Sequence, residues 1–263
     1  MLVELLFDEQ MHRAPRCSLN LAIGPSRRYA AVRVPLIDLT AIRSELGGSV
    51  NDAILAACAS GLRSLLLERD EDPPAAGLRA RVPVNLSEAS QTLALDNRLS
   101  SLFVGLPVDE PLALERHRRI VASTPALKSS GAGDAANTIV DLAALAPPLV
   151  HAAIARLLYA ARLFNLTITN VAGAQAPRYA FGATLREVYP IVPLAAGHAV
   201  GIATFSHDGL LTLGISADCE SMPDLGVLAY GIEEGIEELL EPAEASRLKR
   251  DAADAPAKHL THT

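Results

Sequence analysis

Two apolar runs, residues 199–205 and 210–216, flank Ser206-His207-Asp208-Gly209. Asp-Gly between such runs specifies a tight hairpin, because glycine accepts the positive φ that a two-residue turn demands. Just upstream, residues 166–171 (LTITNV) alternate β-branched and polar side chains, the pattern of a half-buried strand. Between these pieces, residues 179–192 read as short extended segments punctuated by Pro177, Pro190 and Pro193. The stretch from Phe164 to Asp218 therefore predicts neighbouring strands at the middle of a sheet. The rest of the chain must supply helices that cover it and a few more strands.

Residues 26–34 alternate as a strand that Pro35 stops, and Asp38 is a candidate N-cap for a short helix ending at Gly47-Gly48. Ser49-Val50-Asn51-Asp52 opens a longer helix over 53–68. Ser followed by an acid three residues on is close to a capping box. Ile54, Leu55, Cys58, Leu62, Leu65 and Leu66 then fall at helical spacing. Gly61 inside that helix costs about 1 kcal/mol relative to alanine, which predicts a close packing contact there. Residues 78–86 and 99–106 read as strands, and Pro83 argues for an edge or a bulge in the first. Residues 112–122 form an amphipathic helix, with Arg116, His117, Arg118 and Arg119 as a basic face. Residues 128–134 read as a flexible loop whose Gly-x-Gly lacks the third glycine and the preceding strand of a dinucleotide fingerprint. Two apolar helices, 135–146 and 149–163, are separated by Pro147-Pro148, and a last amphipathic helix spans 223–240. The domain reading is an N-terminal segment and linker over 1–35, a domain over 36–242 and a disordered polar tail over 243–263.

Half of the 263 residues are hydrophobic (50%), enough for a real core, and 20% are charged. No apolar stretch of eighteen residues is free of charge, and the N-terminus carries acids where a signal peptide is basic; the expected location is cytoplasmic. A net charge of −7 argues against non-specific nucleic-acid binding. Cys17, Cys58 and Cys219 are scattered and outside any Cys-x-x-Cys spacing, so reduced thiols are expected and no metal site. There is no Gly-x-Ser-x-Gly sequence and hence no serine nucleophile elbow. His207-Asp208-Gly209 reads as a hairpin turn that contains a histidine. His198, in an apolar context, reads as a core or channel-wall histidine rather than a base. Asn51 and Asp52 suit a helix N-terminus, where an acid meets free N–H groups and the positive end of the dipole.

Several local patterns together resemble the C-terminal part of the bacterial wax ester synthase/acyl-CoA:diacylglycerol acyltransferase family. They are Ser49-Val50-Asn51-Asp52; Val82-Pro83-Val84-Asn85-Leu86 followed by Asn97; Phe164-Asn165 with Thr169-Asn170-Val171-Ala172-Gly173; Gly182-Ala183 through Tyr189-Pro190-Ile191-Val192-Pro193 to Gly197; and Ser206-His207-Asp208-Gly209 through Asp218 to Pro223-Asp224. Their order and spacing carry the resemblance over residues 20–240, although Ala172 and Ala174 stand where the family has prolines.

The resemblance implies an α/β fold, with a mixed, mostly antiparallel sheet flanked by helices, matching the C-terminal half of a chloramphenicol-acetyltransferase-like enzyme. It implies O-acyl transfer from acyl-CoA, as co-substrate and with no permanently bound cofactor, to diacylglycerol or a long-chain alcohol. It also implies contact with a lipid acceptor and a peripheral association with membrane or lipid inclusions. Asn51 and Asp52 would support the active site. Asn170, Gly173 and His198 would line a substrate channel, and for Asn170 and Gly173 a plain turn is the equal alternative. Arg116, Arg118 and Arg119 would either contact CoA phosphates or form a solvated face. The family's catalytic motif, His-His-x-x-x-Asp-Gly, is absent from this sequence, whose seven histidines include no adjacent pair. The base must then come from a separate chain, from a segment upstream, or not at all. The alternative is a non-catalytic half that binds acyl chains or a full-length relative.

Overall fold

The computed structural model describes residues 13–85, 99–129 and 163–254. In chain order the elements are β1 (Arg27–Pro35), α1 (Leu36–Leu46), α2 (Val50–Glu68), β2 (Leu78–Asn85), β3 (Leu99–Leu106), α3 (Ala113–Ser129), β4 (Leu166–Ala172), β5 (Arg178–Ala180), β6 (Ala183–Leu185), β7 (Val200–His207), β8 (Leu210–Asp218) and α4 (Leu225–Asp254). Six strands form one sheet in the order β1-β8-β7-β4-β2-β3. Its outer pairs are antiparallel, while β7, β4 and β2 run parallel to one another, so the sheet is mixed and mostly antiparallel.

The middle of this sheet is β8-β7-β4, as the strand pattern of 164–218 requires. The β7–β8 turn has positive φ at both Asp208 (46°) and Gly209 (80°), the geometry that selects Asp-Gly. Strand register lines up rows of side chains across the helix-covered face. One row is Ala30, Ile215, Ile202 and Ile168; the next is Val32, Leu213, Thr204 and Asn170. On the other face, Val192 and Leu194 lie against Gly201, and Pro190 lies against Gly214. Neither glycine has room for a side chain, so the segment after β6 seals that face.

α2 is the core helix. All of Asp52–Leu62 is buried, and α2 packs against α4 and α3. By length and composition α2 could cross a membrane, but here it is the centre of a packed core. Its contact with α4 is close because Gly61 faces the Leu228 carbonyl; a Cβ on Gly61 would stand 2.5 Å from that oxygen and 2.6 Å from Ile232 Cγ1. This is the packing reason for a mid-helix glycine.

Several expectations change. Asp38 caps nothing: α1 starts directly at Leu36 with Pro35 as its N-cap residue and no side-chain cap, and Asp38 lies in the first turn, where its charge suits the dipole. The strand expected over 26–34 is β1, which pairs along its length with β8, and Leu19, upstream of it in the expected linker, is fully buried. Pro83 lies inside the sheet order, not at its edge. The pairing of β2 with β4 covers only Ala80 and Arg81, so at Pro83 the strand has one partner and its missing N–H costs little. The helix expected over 112–122 continues to Ser129 through Pro125, which takes up Lys128 and Ser129 from the expected loop. The last helix runs to Asp254, well into the stretch expected to be disordered. Buried Leu239 and Ala243 hold it to the core, and Arg250 pairs with Glu45 at 2.7 Å. The two apolar helices expected over 135–146 and 149–163 lie outside the described residues, apart from Leu163.

Candidate functional site

The sequence Ser49-Val50-Asn51-Asp52 starts α2 with a full capping box. The Asp52 N–H donates to Ser49 Oγ at 3.2 Å, and the Ser49 N–H donates to Asp52 Oδ2 at 2.8 Å. Asp52 is buried, and its carboxylate accepts two further hydrogen bonds, from Ser49 Oγ (2.7 Å) and from Thr124 Oγ1 (2.8 Å) of α3. Oδ2 is thus spent on the helix's own cap and Oδ1 on holding the helix start to α3. Asn51, one residue earlier, is half-buried and turns toward the sheet.

There Asn51 meets Asn170, near the end of β4. Asn170 Nδ2 donates to Asn51 Oδ1 at 3.5 Å across 119 residues of sequence. Thr204 on β7, fully buried, donates its hydroxyl to Asn170 Oδ1 at 2.7 Å. That bond fixes the amide: its oxygen faces Thr204 and its NH₂ faces Asn51. β4 and β7 are parallel and end together, so Asn170, Thr204 and Ser206 form a polar cluster at their carboxyl ends, beside the N-terminus of α2. In sheets with parallel strands, this end is where ligand sites form.

Gly173 lies just past β4. Its N–H donates to Ser206 Oγ at 3.3 Å, and a Cβ there would collide with the Ser206 carbonyl and the Phe205 ring. It presents backbone to β7 rather than to an open channel. Gln175 closes the turn through Nε2 to Ser206 Oγ (3.0 Å) and Oε1 to the Gly209 N–H (3.3 Å).

His198 is not part of this cluster. It is buried at the other end of β4, stacked on Phe164 with ring centroids 4.2 Å apart. Asn170 stands four strand residues beyond Leu166, the start of β4, roughly 13 Å along it. The ring nitrogens of His198 face the carbonyls of Ala196 (3.0 Å) and Phe164 (3.2 Å). Burial holds its pKa below the ordinary value of 6.5. His207 is likewise buried between the carbonyls of Ala174 and Leu185. Asn51, Asp52, Asn170 and Gly173 therefore gather at one end of the sheet, and His198 lies at the other.

The basic face expected on α3 does not exist as such. Arg116 and His117 are buried, at 2% and 0% exposure, and point into the core. Arg116 donates to the carbonyls of Glu110 and Pro111 (both 2.8 Å), to Ser60 Oγ, and to Glu238 Oε2 at 3.1 Å. Arg119 is paired with Asp109 and Glu110, and Arg118 with Glu115. These cations are occupied by protein partners.

Sequence reasoning passed over Thr204 and Thr124, which position Asn170 and Asp52. Asn165, which with Phe164 belongs to the resembling motif, was given no role; it is fully buried, accepts from the Arg79 N–H (2.8 Å) and donates to the Pro15 carbonyl (2.8 Å) and Asn20 Oδ1 (2.6 Å). The cysteines are free, and burial pushes the thiols of Cys17 and Cys58 up to about 11 and about 12, so both stay protonated. No group of three or more His, Cys, Asp or Glu is placed to hold a metal among the described residues.

The family model of the WS/DGAT C-terminal domain matches residues 95–240, and that of the wax ester synthase/diacylglycerol acyltransferase catalytic domain matches residues 9–54. A Mycobacterium tuberculosis protein named "Probable diacyglycerol O-acyltransferase tgs1" is 32% identical over 235 residues, covering 89% of this chain and 51% of the relative. The solved wax ester synthase/diacylglycerol acyltransferase of Marinobacter aquaeolei VT8 superposes with a TM-score of 0.70 at 29% identity, covering 92% of this chain and 56% of that one. The epimerization domain from the third module of tyrocidine synthetase B shares the fold alone, with a TM-score of 0.58 at 12% identity. The chain spans about half the length of the curated relatives it matches. With one family model matched over more than half of its residues and 32% identity across nearly nine-tenths of its length, the chain belongs to the wax ester synthase/diacylglycerol acyltransferase family.

Proposed function

We propose that this chain is one half of an acyl-CoA-dependent O-acyltransferase that moves an acyl group from CoA to diacylglycerol or a long-chain alcohol. The observation that carries the reading is the meeting of Asn51 and Asn170. Both lie in motifs that resemble the family's, and the fold brings them together at the carboxyl ends of β4 and β7. In the reaction, a base takes the proton of the acceptor hydroxyl as its oxygen attacks the thioester carbonyl. The tetrahedral intermediate then expels the CoA thiolate, which recovers the proton. The base belongs to a His-His-x-x-x-Asp-Gly segment outside these 263 residues. The chain's own part is positional. Asp52 anchors the start of α2, Thr204 orients the Asn170 amide, and the Asn51–Asn170 pair offers polar groups beside the reacting carbonyl.

The test is release of free CoA from palmitoyl-CoA, with diacylglycerol or hexadecanol as acceptor and the ester identified by thin-layer chromatography. The purified chain is assayed alone and with a polypeptide carrying the His-His-x-x-x-Asp-Gly half. The expected result is acceptor-dependent release only in the mixture. A folded complex of the two that releases no CoA overturns the reading and leaves a non-catalytic module. Release by the chain alone would place the base within it, with His198→Ala and His207→Ala as the next variants.

A further inference from the structure

β5 and β6 form a two-stranded hairpin that pairs only with itself. Its turn residues, Phe181 and Gly182, have φ of 51° and 81°. Positive φ at both positions is a turn for Asn-Gly or Gly-Gly, and a bulky side chain there crowds its own backbone. Yet the residue is phenylalanine, and it is fully exposed. Tyr179 (71% exposed) precedes it, and Ile191 (73%) and Leu185 are exposed in the same region. In water alone, Phe181 is unfavourable twice over, by backbone strain and by apolar exposure. Strain combined with exposure at a loop tip is the mark of a surface that something else covers.

The charges around the tip select the occupant. Arg178 pairs in register with Leu185, and Arg186 follows Leu185, so the two arginines lie at the base of the hairpin and flank it on opposite faces. Both are exposed, and neither makes an ion pair among the described residues. The nearest acid in sequence, Glu187, is already bonded to Arg33 (3.3 Å) and to the Tyr189 hydroxyl. Three residues of strand separate Arg178 from Phe181, about 10 Å. That matches the roughly 5–10 Å by which apolar side chains enter the boundary between headgroups and acyl chains, with arginines remaining at the phosphates. On a chain of net charge −7, two free guanidiniums flanking the base behind an aromatic tip give this hairpin an affinity for an anionic surface.

We propose that the β5–β6 hairpin anchors the protein to an anionic lipid surface, with Phe181 and Tyr179 inserted and Arg178 and Arg186 on lipid phosphates. The proposal rests on the acyl-transfer reading only for why an acceptor-bearing lipid surface matters, and its test reads binding, not turnover.

The chain contains no tryptophan, so Phe181→Trp installs a single fluorescent reporter at the tip. Sedimentation with phosphatidylcholine vesicles, with and without phosphatidylglycerol, measures binding of the wild-type chain, Phe181→Asp and Arg178→Glu/Arg186→Glu. The expected result is binding to phosphatidylglycerol vesicles that weakens with salt and falls at least tenfold in both variants, whose circular dichroism and melting stay at wild-type values. The Phe181→Trp emission should shift to the blue on those vesicles and be quenched by brominated lipid. Equal sedimentation of wild type and Phe181→Asp overturns the proposal. So does a Phe181→Trp emission unmoved by vesicles but shifted by the His-His-x-x-x-Asp-Gly polypeptide, since the hairpin would then dock on protein. Vesicle binding together with no CoA release from the mixture with the His-His-x-x-x-Asp-Gly polypeptide defeats only the acyl-transfer reading. CoA release from that mixture, with Phe181→Asp sedimenting on vesicles as the wild type does, defeats only the anchor.

Discussion

Asn51 and Asp52 are adjacent in sequence but do different work, and replacing each by alanine should separate them. Asp52 is buried and accepts three hydrogen bonds, from the Ser49 N–H (2.8 Å), Ser49 Oγ (2.7 Å) and Thr124 Oγ1 (2.8 Å). A hydrogen bond to a charged group contributes about 1.5–3 kcal/mol. Loss of the cap costs about 1 kcal/mol and loss of the favourable dipole interaction about 0.3–1 kcal/mol. These terms overlap. Ser49 and Thr124 are only half-buried, so water recovers part of what their donors lose. The expected net cost of Asp52→Ala is therefore about 3 kcal/mol, or a melting point lower by roughly 6–12 °C for a chain of this size. Asn51 makes one long bond of 3.5 Å and sits where alanine is the better helix former, so Asn51→Ala should cost under about 0.5 kcal/mol. Asp52→Asn, which keeps one acceptor oxygen, should fall between them. Urea unfolding followed by circular dichroism at 222 nm reads all three with a common m-value. An Asp52→Ala loss below about 1 kcal/mol, or an Asn51→Ala loss equal to it, would refute the assignment of Asp52 to the fold and Asn51 to the site.

Gly61→Val should destabilise the fold by about 3 kcal/mol or more, because its side chain would overlap the Leu228 carbonyl and Ile232 and force α2 and α4 apart; a wild-type urea midpoint would contradict the helix contact. Acid should destabilise the protein through His117 and His198, both held below the ordinary value by burial. The unfolded chain takes up these protons below pH ~6.5 and the folded chain does not, so stability is complete above that pH and declines as pH falls from there toward the folded-state values. Neither ring nitrogen of His117 has a hydrogen-bond partner among the described residues, so His117→Leu should be nearly neutral at pH 7 and flatten the melting-point profile between pH 6.5 and 5. An unchanged profile would show that His117 takes up no fewer protons folded than unfolded.

The sequence disclosed what is decided within a few residues. Asp208-Gly209 is a turn in any context, and Ser49 with Asp52 satisfies its own helix start, so both are as the pattern predicts. Arg116-His117-Arg118-Arg119 misled because four consecutive helical positions, about 100° apart, wrap the whole helix and cannot form one face. Only packing decides which of them turn inward, and α3 turns Arg116 and His117. The end of α4 was lost to composition. Its polar residues look like a tail, but they are mostly strong helix formers, and Leu239 and Ala243 four apart keep the buried stripe going. Asn165 stood out only as part of a motif, and its role was not legible, since the chain segments it joins are as much as 150 residues apart.

The polar cluster follows from the same rule of register. Along the helix-facing side of the sheet, the row holding Ile168 and Ile202 is wholly apolar. One step on, the row runs from Val32 and Leu213 into Thr204 and Asn170, and one step further from Val34 and Leu211 into Ser206 and Ala172. The last two rows stay apolar under the helices on the β1–β8 side and bring Thr204, Asn170 and Ser206 to where β7 and β4 end. Neither Thr204 nor Asn170 stands out alone: a threonine in a strand is ordinary, and an asparagine near a turn is ordinary. Their parallel pairing makes them neighbours, because β4 and β7 have the same direction and the same end. A one-residue slip would send Thr204 to the other face and leave the Asn170 amide free to turn. The apolar rows that fix register therefore also fix the orientation of the Asn170 NH₂ toward Asn51, and the core of this half-fold sets the geometry of the site at its edge.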